Sequence, residues 1–426
     1  MARMSDGWQV IVVGGGPAGA SAAWHCAQAG LAVCLVDRAR FPRAKPCAEY
    51  VSPEGSRILD RMGALSPLER GGATYLTGMV VHAPSGGRIH GEFAARHGYR
   101  GFRDRGLGIR REFLDALLLD RARAAGVEVL EEARVTQLRH DAHGQVNGVD
   151  IATDTGTRAL QAPLVIGADG LNSVVARRAG LAHRSRWLRR VAYVAHYRDV
   201  RAMSSLGEMH VTDNGYVGLA QVGDGQGHGQ GDGDGTAVTN VAVVVPTRFA
   251  QQQRATPEAM LEGWLAAHPV LAKRFVDAVR VTPVRAVGPF ASHARRAWAP
   301  GVLLTGDAAD FLDPFTGEGI FAALVGGELL APIAHDLVHT SDMTARRRIF
   351  EAYEHTRNTT FGGKWRLERL IALAVAWPPL LNRAARALSR DRDLADLLIG
   401  ATGDFVPASA VLSPRMLLRF LSSALP

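Results

Sequence analysis

Gly14, Gly16 and Gly19 stand at positions i, i+2 and i+5 of the run Gly14-Gly15-Gly16-Pro17-Ala18-Gly19, and an acid, Asp37, closes the apolar run Val33-Cys34-Leu35-Val36 further on. Glycines at this spacing permit a tight turn, a close approach of backbone N–H groups to a pyrophosphate, and contact between a helix and the strand before it. Asp37 then lies where a carboxylate accepts hydrogen bonds from a ribose diol, so the chemistry indicated is recognition of a dinucleotide. Two further glycine–aspartate turns lie far downstream, Gly167-Ala168-Asp169-Gly170 and Gly306-Asp307-Ala308-Ala309. Cys47, in Lys45-Pro46-Cys47-Ala48, is a thiol with a cation close in sequence; positive charge favours a thiolate, and small-residue loop packing is an equal reading. His196, His210 and Tyr216 fall on strand-like runs, where a histidine is more often a satisfied structural residue than an acid or base.

The elements around these groups follow from periodicity. Val10 to Val13, the glycine loop, an alanine-rich helical stretch and Val33 to Asp37 make a βαβ unit, with the pyrophosphate on the positive end of the helix. Three prolines within the dozen residues 42–53 predict a long ordered loop over 38–55, a kind of segment that commonly carries function. The pattern predicts a helix over 53–62 and a hairpin over 74–82 and 88–93. A helix from Arg111 to Ala125 is stopped by Gly126, and a small meander occupies 133–138, 145–151 and 157–161. Residues 186–290 are strand-rich with one helix over 257–279, and the pattern from Met343 onward is helical with breakers at Gly362-Gly363 and Pro378-Pro379. The glycine-alternating stretch 223–235 has the composition of a flexible linker and is assigned no phosphate-binding role. The expected fold is α/β: a Rossmann-like nucleotide-binding domain (1–73, 101–185 and 291–342), an interleaved β-sheet substrate domain (74–100 and 186–290), and a helical C-terminal segment (343–426).

Composition narrows the function classes. The 426 residues are 47% hydrophobic and 21% charged, with a formal net charge of +8. The basic residues are scattered, with no basic-aromatic stripe, which argues against nucleic acid. A milder attraction for anionic partners remains, such as nicotinamide phosphates or a substrate on an acidic carrier. Cys26, Cys34 and Cys47 show neither metal-ligand spacing nor a disulfide framework, so a cytoplasmic setting and no metal are expected. Met1 to Gly7 lacks a signal-like apolar segment, and no run approaches the roughly 18 apolar residues of a bilayer span. The longest apolar run, Leu370 to Leu381, is interrupted by Pro378-Pro379 and reads as a core or surface-docking helix.

The three glycine–aspartate segments, in this order and spacing, resemble those of FAD-dependent oxidoreductases with the para-hydroxybenzoate hydroxylase fold, over about residues 9–330. The resemblance implies FAD, held by Gly14, Gly16, Pro17, Ala18, Gly19, Asp37 and Arg38, by Lys45, Pro46, Cys47 and Ala48, and by Arg111, Val135, Asp169 and Gly170. Gly306, Asp307, Pro314, Gly317, Glu318, Gly319 and Ile320 complete the implied set. Asp307 would reach the ribityl chain and Arg111 the region of the pyrophosphate, with a solvated helix-start charge as the alternative for Arg111. The helix from Glu318 would aim its positive end at the flavin pyrimidine edge. Within the superfamily, Asp313-Pro314-Phe315-Thr316-Gly317-Glu318-Gly319, together with Lys45-Pro46-Cys47 and Ser52-Pro53, looks like the geranylgeranyl-reductase-like branch. The histidine usual after the GDAA motif of aromatic hydroxylases is absent, as is the Trp-x-Trp-x-Ile-Pro segment of tryptophan halogenases.

Two activities follow from the resemblance. The first is a monooxygenase that uses NAD(P)H and oxygen, through a flavin C4a-hydroperoxide, on an aromatic, polyketide-like or other apolar molecule. The alternative is an ene-reductase of a prenyl or other lipid double bond, in which Cys47 contributes to protonation. An electron-transfer flavoprotein fits less well, because the strand-rich insertion argues for a substrate pocket. NAD(P)H is expected as a transient electron donor, since no second GxGxxG stands in a βαβ context. His196, His210 and Tyr216 are the candidates for substrate contact. The basic amphipathic C-terminal part suits either a lid or peripheral membrane contact for collecting a lipid- or carrier-linked substrate.

Overall fold

The computed structural model describes residues 7–185, 188–223 and 238–423, so the glycine-rich stretch lies, apart from Gly223, outside the described residues. The four valine-and-isoleucine residues Val10–Val13 form the centre of a six-stranded sheet, paired in parallel with Val33–Val36 on one side and Leu164–Gly167 on the other. Strands so flanked are buried on both faces, which explains their unbroken apolar character. Val302–Leu304 and Glu128–Leu130 extend the sheet in parallel, and Trp298–Ala299 closes one edge. Each glycine–aspartate turn therefore leaves the same carboxyl end of one sheet, where open α/β sheets bind ligands.

Helix Pro17–Gln28 packs between this sheet and helix Gly319–His339. Their approach is close because both faces are small: a Cβ on Gly327 would lie 2.5 Å from the Ala22 nitrogen, and the Ser21 hydroxyl donates to the Leu324 carbonyl at 2.7 Å. Gly319–His339 is 21 residues long and apolar enough to cross a bilayer by composition, which corrects the expectation that no such run exists. It is interrupted in sequence by Glu328 and Pro332, and 56% of its most apolar window is buried inside the protein.

A second, mainly antiparallel sheet runs Val279–Arg280, Arg190–Arg198, Val238–Pro246, Gly215–Val222, Leu206–Thr212, Gly78–His82 and Arg88–Glu92, with Arg285–Val287 also on Arg190–Arg198. The expected hairpin strand over 74–82 is divided: Thr74–Leu76 joins a three-stranded sheet with Gly106–Gly108 and Tyr50–Val51, while Gly78–His82 joins the large sheet. The long loop after Asp37 thus contains a strand, Tyr50–Val51. The helix expected over 257–279 is split into Pro257–Ala266 and Pro269–Arg274, because Pro269 has no N–H to continue the ladder.

Helix Met343–Ala376 runs through Gly362-Gly363, contrary to the breaker expectation. Two internal glycines cost on the order of 1 kcal/mol each, and burial of Phe350, Tyr353, Phe361 and Leu367 along the same helix outweighs that. Pro378 and Pro379 do end it, and Pro378 opens the next helix, Pro378–Arg390.

Candidate active site

The three turns meet. Gly14 has φ +105°, and a Cβ there would strike the Ala168 carbonyl at 2.5 Å; a Cβ on Gly306, at φ +58°, would lie 2.7 Å from that of Ala18. Gly19 fits only as glycine, since its Cβ would be 1.7 Å from the Gly14 oxygen. Gly16 differs: its Cβ would have only Arg43 Nη2 at 3.5 Å and Arg111 Nη2 at 3.7 Å nearby, so the space at the helix N-terminus lies open between two guanidiniums. Arg111 is buried and gripped by Asp115 through two 2.7 Å hydrogen bonds, with Arg43 3.5 Å from the same carboxylate. Burial works against the Arg111 charge, and Asp115 more than offsets it. Asp37 accepts from Gly15 N at 2.6 Å and from Ala39 N at 2.8 Å, which pins the glycine loop.

Asp169 accepts from Val174 N at 2.6 Å through Oδ2, while its buried Oδ1 has no hydrogen-bond partner among the described residues and burial raises its pKa. Lys45 spans the cleft. Its Nζ lies 3.9 Å from Asp307 and would be 3.7 Å from a Cβ on Gly170; burial, then the Arg111 charge, lowers its pKa while Asp307 opposes. An open cradle between two guanidiniums at a helix N-terminus and an orphaned carboxylate oxygen are what a pyrophosphate with polar sugar-like chains requires, so the residues fit FAD.

Pro17, Ala18, Pro46, Ala48, Gly170, Asp307, Pro314, Gly317, Gly319 and Ile320 line the cleft, as do Gly16, Lys45, Cys47 and Arg111. Three residues implied by resemblance lie elsewhere. Arg38 is exposed beyond the strand end, and Val135 is buried in the meander core. Glu318 turns away from the cleft to Lys364 of the long helix, 3.4 Å distant. In sequence, only its place inside a cofactor-like turn was visible, whereas the buried lysine that faces it comes from far downstream.

Beyond Cys47 the cleft widens into an apolar cavity; cleft, cavity and solvent-open mouth together hold about 1470 Å³ of empty space. Its far wall is the large sheet, which presents alternate residues: Ala192 and Val194, Gly207 and Met209, Tyr216, Gly218 and Ala220, Asn240, Ala242 and Val244. Small side chains on neighbouring strands leave the room, and Phe290, Phe311 and Phe315 close one end. Tyr216 is in this wall, but its hydroxyl is spent on Asp313 at 2.7 Å, and Asp313 also binds the buried Arg190 at 2.5 Å. That carboxylate accepts from Phe315 N as well, so it fastens the Pro314 turn to the sheet.

Neither histidine reaches the cavity. His196 lies behind the Lys45–Ala48 loop, bound to Glu49 at 2.6 Å and Thr282 at 3.0 Å. Glu49, at φ +59°, also accepts from Arg111 N at 2.9 Å and from Asn240 at 3.0 Å, and Asn240 donates to the Cys47 carbonyl at 2.9 Å. The Cys47 thiol accepts from Glu49 N at 3.4 Å. Sequence reasoning missed Glu49, Asn240, Arg190 and Asp313 as anchors, because most of their side-chain partners lie far away in sequence.

His210 stacks on His82 at 4.3 Å and binds Glu208 at 2.8 Å. These three could group around a metal ion, but Arg274 donates to Glu208 at 2.5 Å and lies 3.5 Å from His210, so a fixed cation already fills that position. Burial alone would raise the Glu208 pKa; His210 and Arg274 together bring it to about 2.

Residues 7–361 match the family described as FAD binding domain. The chain is 29% identical over 404 residues, 92% of its length and 93% of the relative's, to a digeranylgeranylglycerophospholipid reductase of Methanopyrus kandleri. In fold it is similar to the flavin-dependent brominase Bmp2, with a TM-score of 0.80 at 20% identity over 98% of this chain and all of that one. A flavoprotein/dehydrogenase from Cytophaga hutchinsonii has a TM-score of 0.80 at 21% identity, over 98% of each chain.

Proposed function

We propose that this chain, which belongs to the FAD binding domain family and is an FAD-dependent oxidoreductase, reduces a carbon–carbon double bond of a prenyl chain or similar apolar lipid. The observation that carries the reading is the apolar cavity opening directly from the cofactor cleft at Cys47, floored by Gly207, Gly218, Ala220 and Ala242 and closed by phenylalanines. A flexible hydrocarbon chain is bound by such a surface through dispersion and exclusion of water. The named activity of the Methanopyrus kandleri relative, matched across nearly the whole chain, points the same way.

FAD, when bound, supplies two-electron redox chemistry. Arg111, with Arg43 beside it, would neutralise the pyrophosphate at the start of Pro17–Gln28, and Asp307 would receive the polar sugar-like chain. The Glu49–Asn240–His196 network fixes the loop carrying Cys47, and Asp313 fixes the turn opposite. A nicotinamide cofactor is the proposed electron donor.

Leu370, Leu373 and Trp377 are exposed along one face at the end of the long helix, with Arg366, Arg369, Arg383 and Arg386 exposed around them. From the same helix end, Ile371 and Val375 join the apolar cluster that includes Phe290 and Phe311 of the cavity. A membrane surface rich in anionic lipid is the partner this face suits, and a lipid substrate would enter there.

Oxygen transfer is the second reading. Tyr216, His196 and His210 are all committed to carboxylates, and a monooxygenase needs no acid or base from the cavity wall. Incubation of the reduced flavoprotein with a geranylgeranylated phospholipid without oxygen, followed by product mass analysis, tests the proposal. Hydrogenated product supports it; product formed only with oxygen, and carrying an oxygen atom, supports the second reading.

A further inference from the structure

Tyr50 stands three residues after Cys47, in the short strand Tyr50–Val51. Its ring is wedged so that a Cβ on Gly106 would lie 2.5 Å from Cε2 and one on Gly317 2.8 Å from Cδ1, and it stacks on Phe93 at 6.0 Å. The side chain is buried in the wall of the apolar cavity, yet its hydroxyl has no hydrogen-bond partner among the described residues. Tyr216 in the same cavity has its partner, Asp313. An orphaned buried hydroxyl loses its bonds to water, and a site that keeps one leaves it for a ligand.

Behind the Pro314–Gly319 turn lies a second chamber with about 560 Å³ of empty space, sharing Asp307, Phe311 and Gly319 with the cofactor cleft. Two carboxyls line it, Glu318, which is buried, and Glu368, which is half-buried. Burial holds both carboxyls above the ordinary range, while Lys364, whose own pKa burial lowers, opposes. Asp307, Asp310 and Asp313 face this group from the turn side, Arg357 and Lys364 from the long helix, and Asp404 from the loop after Arg392–Thr402. The Glu318 charge acts on Tyr50, adding to burial in raising its pKa.

We propose that the Tyr50 hydroxyl is the proton donor to the substrate in the apolar cavity. The proposal rests on the alkene-reductase reading. One alkene carbon receives hydride from the reduced flavin and the other receives the Tyr50 proton, so the π bond breaks, two C–H bonds form, the alkene is reduced and the flavin oxidised. The phenolate regains a proton from solvent, and the nicotinamide donor would restore the flavin.

Tyr50→Phe removes only the oxygen. Flavin-free Y50F should unfold at no lower temperature than wild type, and a lowered midpoint would overturn the proposal by showing that the hydroxyl serves the fold. With FAD bound and reduced without oxygen, Y50F should be reoxidised by geranylgeranylated phospholipid about 10²–10⁴-fold more slowly than wild type. Equal rates would overturn the role of Tyr50 while leaving the reductase reading intact. A wild-type protein not reoxidised by the lipid would overturn that reading and the proposal together.

Discussion

Replacing Gly16 and Gly19 separately by alanine divides the cost of the fold from the cost of the cofactor. Gly16 has φ −76° and ψ −175°, an extended conformation open to alanine, and its Cβ would meet nothing nearer than Arg43 Nη2 at 3.5 Å. Losing glycine at an N-cap costs a few tenths of a kcal/mol to about 1, and stiffening the unfolded chain returns about 0.4–1 kcal/mol, so flavin-free G16A should match wild type in thermal unfolding. The methyl group would occupy the gap between the Arg43 and Arg111 guanidiniums into which a pyrophosphate must come. Displacing one charge-assisted hydrogen bond there costs about 1.5–3 kcal/mol, a roughly ten- to hundredfold weaker Kd for FAD. Gly19 reverses the pattern, since its Cβ would overlap the Gly14 oxygen at 1.7 Å. G19A should be destabilised by about 1–3 kcal/mol or more before any cofactor is added. Differential scanning of the flavin-free variants with FAD titration by fluorescence is the assay. A G16A protein that binds FAD as tightly as wild type would refute the assignment of this cradle to the pyrophosphate.

Further predictions concern the anchors and the surface. Asp313→Asn, which leaves Arg190 buried without its charge partner, should destabilise the protein by about 3–5 kcal/mol in denaturant titration. His82, held neutral down to about 4 by burial and by His210, and Glu208, ionised down to about 2, both have depressed folded-state values, so their contributions to stability diminish as pH falls. Loss should begin below the ordinary histidine value of 6.5 and continue through 4.5 toward 2; His82→Gln should remove the upper part of that acid limb in pH-dependent unfolding. Leu373→Asp with Trp377→Asp should abolish sedimentation with anionic phospholipid vesicles, leaving FAD affinity unchanged.

What could be read from the sequence was local. The glycine run and the strands beside it carry their own turn, helix and strand signals within thirty residues, and the three glycine–aspartate turns adjoin as their strand ends require. Tyr216 was placed on the cavity sheet, but not its bond to Asp313, which lies 97 residues away. His196 and His210 drew attention as isolated histidines. Only the fold reveals that each already has a carboxylate, because strand parity and pairing register decide which face a side chain takes. Glu318 likewise belongs to a cofactor-like turn by position, and to a buried cluster with Lys364 and Glu368 by the packing of a helix some fifty residues later. Gly362-Gly363 looked like a stop and is not one, because buried aromatic side chains on that helix outweigh glycine's weak helix propensity.

The measurement that bears most directly on the central claim is the flavin absorbance of the reduced protein, mixed without oxygen with phospholipid bearing geranylgeranyl chains. The account predicts that the oxidised flavin spectrum returns at a rate that rises with lipid concentration, with hydrogenated chains recovered from the mixture. A spectrum that stays reduced until oxygen is admitted, with the lipid recovered unchanged, would contradict it.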